Sequence, residues 1–239
     1  MITLYDIPSR PPNKAWSPNT WKVRATLNFK RIPYLTVWVE YPHIGSLLSG
    51  KGVKRNEESV APWPYTLPAV QFETGETMMD SIAIVERLEE MYPSPSLHLD
   101  SEYTSRVKSV LLELGAAIDG ISLHGVPTTL LTDESAGYFL ADRKARLGAD
   151  VPSYLAQRGR VKMLEAATPH IREIGDMLRE NPDGPYFSGI DTSYIDLHIA
   201  SWMKFWERLG VLEEMVRADP GPWMALHKAC EPYFARDSE

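Results

Sequence analysis

Three short groups of residues put charge-holding side chains where the backbone would assist them. In Trp16-Ser17-Pro18-Asn19-Thr20 a hydroxyl stands before a proline, and Val23 and Leu27 follow Thr20 at helical spacing. Serine is a preferred helix cap, and proline suits the first turn, where its missing N–H costs nothing. The Ser17 hydroxyl therefore joins unpaired backbone N–H groups and a positive dipole end, a combination that holds an anion. Taken alone, it also reads as a plain cap. Asp80-Ser81 opens a second helical run. Ser81 can cap that helix and donate to a carboxylate, while Asp80 can accept from an ammonium group; this pair too has a plain capping role as its alternative. Leu67-Pro68 precedes a strand-like run, where proline is ordinarily an edge or strand-initial residue.

Alternating elements position these groups. Ile2 to Ile7 reads as a strand and Pro8 to Trp16 as a loop. Tyr34 to Tyr41 sets Leu35, Val37 and Val39 against Thr36, Trp38 and Glu40, the period of two of a strand. Pro68 to Phe72 and Glu76 to Met79 flank Glu73-Thr74-Gly75, a hairpin signature. Ile84, Leu88 and Met91 recur on a helix that stops before Pro93. Pro93-Ser94-Pro95-Ser96 reads as a linker, giving an expected first domain over 1–92, a linker over 93–100 and a second domain over 101–239. Beyond the linker only helical patterns remain, with Val107, Val110, Leu111, Leu114 and Ile118 on one stripe and Met163, Ile171, Ile174 and Leu178 on another. Ser193-Tyr194-Ile195-Asp196 predicts a reciprocal cap. Pro42 to Pro64 reads as a long irregular connection, a kind that is usually functional or mobile.

Composition narrows the classes. A formal net charge of −7 over 239 residues argues against nucleic acid or an anionic membrane as the main partner. The N-terminus lacks the basic and apolar regions of a secretory signal, and no uninterrupted apolar run approaches a membrane span. Cys230 is the one cysteine, so no intrachain disulfide forms and a cytoplasmic location is expected. Its surroundings, without a CxxC partner, read as structural. The six histidines are scattered without ligand spacing, so no metal is expected.

The segments Ser17-Pro18-Asn19-Thr20-Trp21-Lys22-Val23-Arg24 and Tyr65-Thr66-Leu67-Pro68-Ala69-Val70, followed by Asp80-Ser81, resemble the serine-type glutathione transferases, most closely the fungal, etherase-related ones. The resemblance extends over the whole chain. It implies a thioredoxin-like domain with a mixed four-stranded sheet and flanking helices, then an all-helical domain forming a hydrophobic acceptor site. It also implies glutathione as co-substrate, a homodimer, and a short helix within the connection after the second strand. Ser17 would hold the glutathione sulfur as thiolate, and Asn19 would donate a second bond or rest against the peptide. Leu67, before a cis Pro68, would pair its backbone with the tripeptide. Asp80 and Ser81 would take the γ-glutamyl head, and Lys54, Arg55 or more weakly His43 the glycine carboxylate. Trp16 would line the acceptor pocket; Trp202 and Trp206 are weaker candidates.

The size of the effect suffices for such a role. A free thiol titrates near pH 8.5, about 1.5 units above neutrality. One hydrogen bond to a charged group contributes about 1.5–3 kcal/mol, and each pKa unit is worth roughly 1.4 kcal/mol, so one hydroxyl depresses the thiol pKa by roughly one to two units. Serine, unlike cysteine, forms no mixed disulfide, which points away from thiol-disulfide exchange. The acceptors implied are small hydrophobic or aromatic electrophiles, with hydroperoxides and aryl ethers among them. Two other classes compete: a ligandin that sequesters aromatic molecules, and a non-catalytic interaction module built on the same fold.

Overall fold

The structure, a computed structural model, describes residues 1–12, 14–57, 59 and 62–238. The chain divides into two compact units, Met1–Ser96 with Tyr233–Glu239, and Leu97–Pro232.

In the first unit, β1 (Ile2–Asp6), β2 (Tyr34–Trp38), β3 (Ala69–Gln71) and β4 (Thr77–Met79) form a sheet in the order β2-β1-β3-β4. β2 runs parallel to β1, whereas β3 and β4 are successively antiparallel. Helices α1 (Pro18–Phe29), α2 (Ile44–Gly50) and α3 (Ser81–Met91) accompany the sheet, completing the thioredoxin-like arrangement. The register decides where the chemistry sits. Tyr5 lies opposite Ala69, and Ala69 opposite Met79. The end of β1, the start of β3 and the end of β4 therefore share one edge of the sheet, about 5 Å from strand to strand. The loop to Ser17, the Leu67-Pro68 step and the Asp80-Ser81 step all leave from that edge.

Two local expectations change. β2 has the expected period of two, but its inward face is Tyr34, Thr36 and Trp38, while Leu35 and Val37 are 53% and 41% exposed. The reason is Arg24, fully buried on α1, which draws polar and aromatic partners inward: Nη2 donates to Thr36 Oγ1 at 2.9 Å, and the guanidinium lies 5.5 Å from the Tyr34 ring and 5.4 Å from that of Trp38. The 42–64 connection, of which residues 58, 60 and 61 lie outside those described, is not irregular throughout. Its first part forms a short 3₁₀ turn, Tyr41–His43, and α2, whose Ile44 and Leu48 are buried one turn apart. Gly45, Gly50 and two serines, Ser46 and Ser49, hide that two-residue stripe in the sequence.

The tail also differs from the pattern-based reading, which placed it with the helical half. Phe234 stacks on Trp21 with centroids 4.8 Å apart, Asn28 Nδ2 donates to the Tyr233 carbonyl at 2.7 Å, and Arg236 lies over the Tyr34 ring while donating to the Tyr34 carbonyl. Contacts over some two hundred residues of separation leave no mark in local periodicity.

The second unit is helical: α4 (Glu102–Gly125), a π-helical segment (Val126–Leu130), α5 (Asp133–Leu147), α6 (Val151–Arg158), α7 (Arg160–Arg179), α8 (Tyr194–Arg208), α9 (Leu212–Met215) and most of α10 (Pro220–Phe234). Among the described residues its extended pairings are two isolated bridges, Tyr186 to Gly189 and Ser188 to Asp191. The α4 and α7 stripes read from the sequence are buried. Glu102–Leu130 is long and apolar enough to cross a bilayer by length and composition alone, yet α4 packs its stripe on α7 as a core helix does. Ser193 and Asp196 form the expected capping box at the start of α8.

Candidate functional site

Ser17 is the N-cap residue of α1 by position, with φ −65° and ψ 128°, and Pro18 opens the helix. Its carbonyl accepts from Trp21 N at 2.9 Å and from Thr20 Oγ1 at 3.1 Å. Its hydroxyl makes no capping bond to the helix and has no hydrogen-bond partner among the described residues, although the residue is only 6% exposed. The mostly buried hydroxyl thus keeps its donor beside the open N–H groups of a helix start, a combination chemically able to hold an anion.

The helix behind it is pinned by an ion pair that the sequence did not advertise. Arg24 Nη2 meets Asp6 Oδ2 at 3.1 Å with both side chains fully buried, and Asp6 Oδ1 accepts from Ile7 N at 2.7 Å. Asp6 ends β1, so this pair ties α1 to the strand whose following loop leads to Ser17. Burial pushes the Tyr34 phenol up, against the pull of the neighbouring Arg24 and Arg236 charges. A charge inside a strand and an arginine among apolar helix positions were the available signals.

Leu67-Pro68 is cis. Leu67 is buried, and its backbone N–H and C=O have no partner among the described residues. Buried backbone groups are normally paired, so both groups here keep hydrogen-bonding capacity of the kind an extended chain can use.

At α3 the capping residue is Asp80, not Ser81. Asp80 Oδ1 accepts from Ile82 N at 2.9 Å and Ala83 N at 3.0 Å, and Ser81 is the first helical residue. Asp80 holds φ at 79°, a left-handed conformation that aspartate tolerates better than most residues. With Oδ1 engaged by the helix, Oδ2 remains to accept from a cation. The Ser81 hydroxyl has no partner among the described residues.

The remaining candidates fall apart from these three. Asn19 is exposed, and its Oδ1 accepts from Lys22 Nζ at 2.9 Å. Trp16 is 3% exposed and its indole N–H donates to the Pro8 carbonyl at 3.2 Å, so its ring packs as core. Trp206 is likewise buried. Lys54, with an 88% exposed side chain, reaches Glu57 only at 3.9 Å. Lys54 and Arg55 line a cleft of about 450 Å³ that extends along β4 to Met79, the residue before Asp80. Asn56 shapes its wall: the backbone N–H donates to Pro64 O at 2.8 Å and Nδ2 to Trp63 O at 3.0 Å. Sequence reasoning missed Asn56, since an asparagine in a loop has no signal of its own. Cys230 is buried, its thiol pushed well up by desolvation and, secondarily, by the Asp196 charge. Among the described residues no cluster of His, Cys, Asp or Glu is placed to hold a metal.

Known proteins share this fold. Residues 16–91 match the glutathione S-transferase N-terminal domain, and residues 121–233 the glutathione S-transferase C-terminal domain. A glutathione S-transferase-like protein of Aspergillus flavus, ustS, is 27% identical over an alignment covering all of this chain and 92% of that protein. A glutathione S-transferase of Ceriporiopsis subvermispora, crystallised with glutathione, is 30% identical with a TM-score of 0.83, covering 97% of each chain. Glutathione transferase GSTFuA3 of Phanerochaete chrysosporium is 30% identical with a TM-score of 0.82, covering 97% of this chain and 96% of its own. With both halves matched in order and the sheet edge built as described, the chain belongs to the glutathione S-transferase family.

Proposed function

We propose that this chain is a serine-type glutathione transferase that activates the glutathione thiol for attack on small hydrophobic or aromatic electrophiles. The observation that carries the reading is the Ser17 hydroxyl, nearly buried at a helix N-terminus and not spent on the cap. It donates to the glutathione sulfur, assisted by the first N–H groups of α1, and lowers the thiol pKa because the bond favours the charged form. The unpaired Leu67 backbone adds the tripeptide as an extra strand. Asp80 Oδ2 accepts from the γ-glutamyl ammonium and Ser81 donates to its carboxylate. Lys54 and Arg55, both on the cleft beside β4, supply the cation for the glycine end.

A thiolate so held attacks carbon electrophiles, hydroperoxides and aryl ethers alike, so the acceptor is ranked by assay with each class. The enzyme works as a cytoplasmic homodimer in this reading, and light scattering that returned one 27.0 kDa chain at micromolar concentration would remove the dimer. The deciding experiment is the thiolate absorbance of the glutathione complex against pH, run beside conjugation of a chloronitrobenzene. A bound thiol that titrates like free glutathione, with no turnover, refutes the proposal.

A further inference from the structure

The last residues of the chain belong to the first unit and run back along α1 toward the loop that delivers Ser17. Tyr233 meets the Phe29 ring edge to face at 5.3 Å, and its carbonyl accepts from Asn28 Nδ2. Phe234 packs on Trp21, two turns earlier in the helix. Asp237 then reaches the loop itself. Its carbonyl accepts from Ala15 N at 2.7 Å, and its carboxylate meets Lys14 Nζ at 3.3 Å. Ala15 is fully buried, two residues before Ser17.

Arg236 seats that end of the tail. Its guanidinium lies 4.1 Å from the centroid of the Tyr34 ring and donates to the Tyr34 carbonyl at 2.7 Å. Tyr34 is itself held: its phenol donates to Asn28 Oδ1 at 3.0 Å and accepts from Arg24 Nη1 at 3.3 Å, the arginine paired with Asp6. The tail thus rests on β2 and α1 and offers a backbone carbonyl to a loop whose described residues form neither helix nor strand. Trp16 Nε1, donating to Pro8 O, pins the same loop from within. A hydroxyl that must meet a sulfur is sensitive to such seating, because a displacement of about 1 Å costs up to about a hundredfold in rate.

We propose that Arg236 and Asp237 are positioning residues for Ser17, the tail acting as a strap that fixes the loop at Ala15 and with it the place of the hydroxyl. This role rests on the serine-type reading of Ser17, and neither residue need touch the tripeptide. The test compares the full chain with Arg236→Ala, Asp237→Asn and a chain stopped after Ala235, which keeps Tyr233 and Phe234. Without glutathione, deuterium uptake over residues 14–17 should quicken in Arg236→Ala and the stopped chain. With glutathione, both should raise the bound thiol's pKa by up to about one unit and lower kcat at neutral pH about three- to tenfold. Glutathione affinity by calorimetry should stay within about twofold, since Leu67, Asp80 and Ser81 are untouched. The rate should recover at alkaline pH, which an unfolded fraction would not allow. Asp237→Asn should match wild type, because it keeps the backbone carbonyl and loses only a partly exposed ion pair. Thiolate titrations that superimpose for wild type and the stopped chain, both below free glutathione, overturn the strap alone. So does unchanged deuterium uptake, or a kcat loss without alkaline recovery. A wild-type complex that titrates like free glutathione removes the serine-type reading and the strap together.

Discussion

Two serines stand at helix starts in this chain and use their hydroxyls in opposite ways. Ser193 is fully buried before α8; its Oγ donates to Asp196 Oδ2 at 2.6 Å and its backbone N–H donates to the same oxygen at 2.8 Å. Ser17 is nearly as buried before α1, yet its hydroxyl is engaged by nothing among the described residues. Both positions carry a residue type that favours caps. The difference is that the Ser193 hydroxyl has a partner within the protein, whereas the Ser17 hydroxyl has none among the described residues. A cap-type residue that does not cap is thus a better pointer to chemistry than residue type alone. Each prediction below either breaks that contrast or measures it.

The largest effect should fall on the structural side. Asp196 also accepts from Phe187 N at 2.9 Å, so three donors converge on one buried carboxylate. Asp196→Ala strands them, at about 1–3 kcal/mol for each donor left buried and unpaired. With partial relaxation, a loss on the order of 3–5 kcal/mol in denaturant unfolding is expected. A loss below about 1 kcal/mol would mean the α8 start is not the fixed structure its bonds imply.

On the chemical side, Ser17→Ala should leave glutathione affinity nearly intact while raising the bound thiol pKa by about one to two units. Conjugation at neutral pH should fall roughly ten- to a hundredfold and recover much of the loss at alkaline pH, where the thiol ionises unaided. Ser17→Cys should instead bring thiol-disulfide exchange with glutathionylated substrates, because a helix N-terminus lowers a cysteine pKa. Superimposable thiolate titrations for wild type and Ser17→Ala would place the activating donor elsewhere.

Asp80 lies between the two extremes, since one carboxylate oxygen caps α3 and the other is open. Asp80→Ala should raise KM for glutathione about tenfold by removing a charge-assisted bond, and also cost about 0.5–2 kcal/mol of stability as a lost cap. Asp80→Asn separates the two. It keeps a capping oxygen, so stability should hold while the KM effect remains. Unchanged glutathione binding by calorimetry in Asp80→Asn would assign Asp80 to the helix alone.

What was legible in the sequence was punctuation. Ser17-Pro18, Leu67-Pro68 and Asp80-Ser81 are each a proline or capping residue at an element boundary, and boundaries are where local chemistry dictates structure. Locality also sets the error at α3. Two adjacent capping types compete, and only the left-handed backbone at Asp80 decides for it. The Asp6–Arg24 pair, the inward face of β2 and the return of Phe234 to Trp21 were hidden because each is a contact between distant segments. Periodicity gave β2 its strand but could not say which face the buried arginine would claim. At α2 two glycines and two serines mask a two-residue apolar stripe.

The smallest effect is the sharpest measure of the contrast. Ser193→Ala removes a made bond in a buried box and should cost about 1–2 kcal/mol. Ser17→Ala removes a hydroxyl with no partner. Burying an unpaired hydroxyl is itself unfavourable, so its loss should change stability by less than about 0.5 kcal/mol, and in the stabilising direction if the unbound pocket is dry. Denaturant unfolding without glutathione measures both variants on one scale. Adding saturating glutathione should then reopen the gap for Ser17 only to the small extent that its bond contributes to affinity, while leaving the Ser193→Ala deficit unchanged. Equal losses in the two alanine variants would make Ser17 an ordinary cap, and the unspent hydroxyl would no longer mark the reactive end of the sheet.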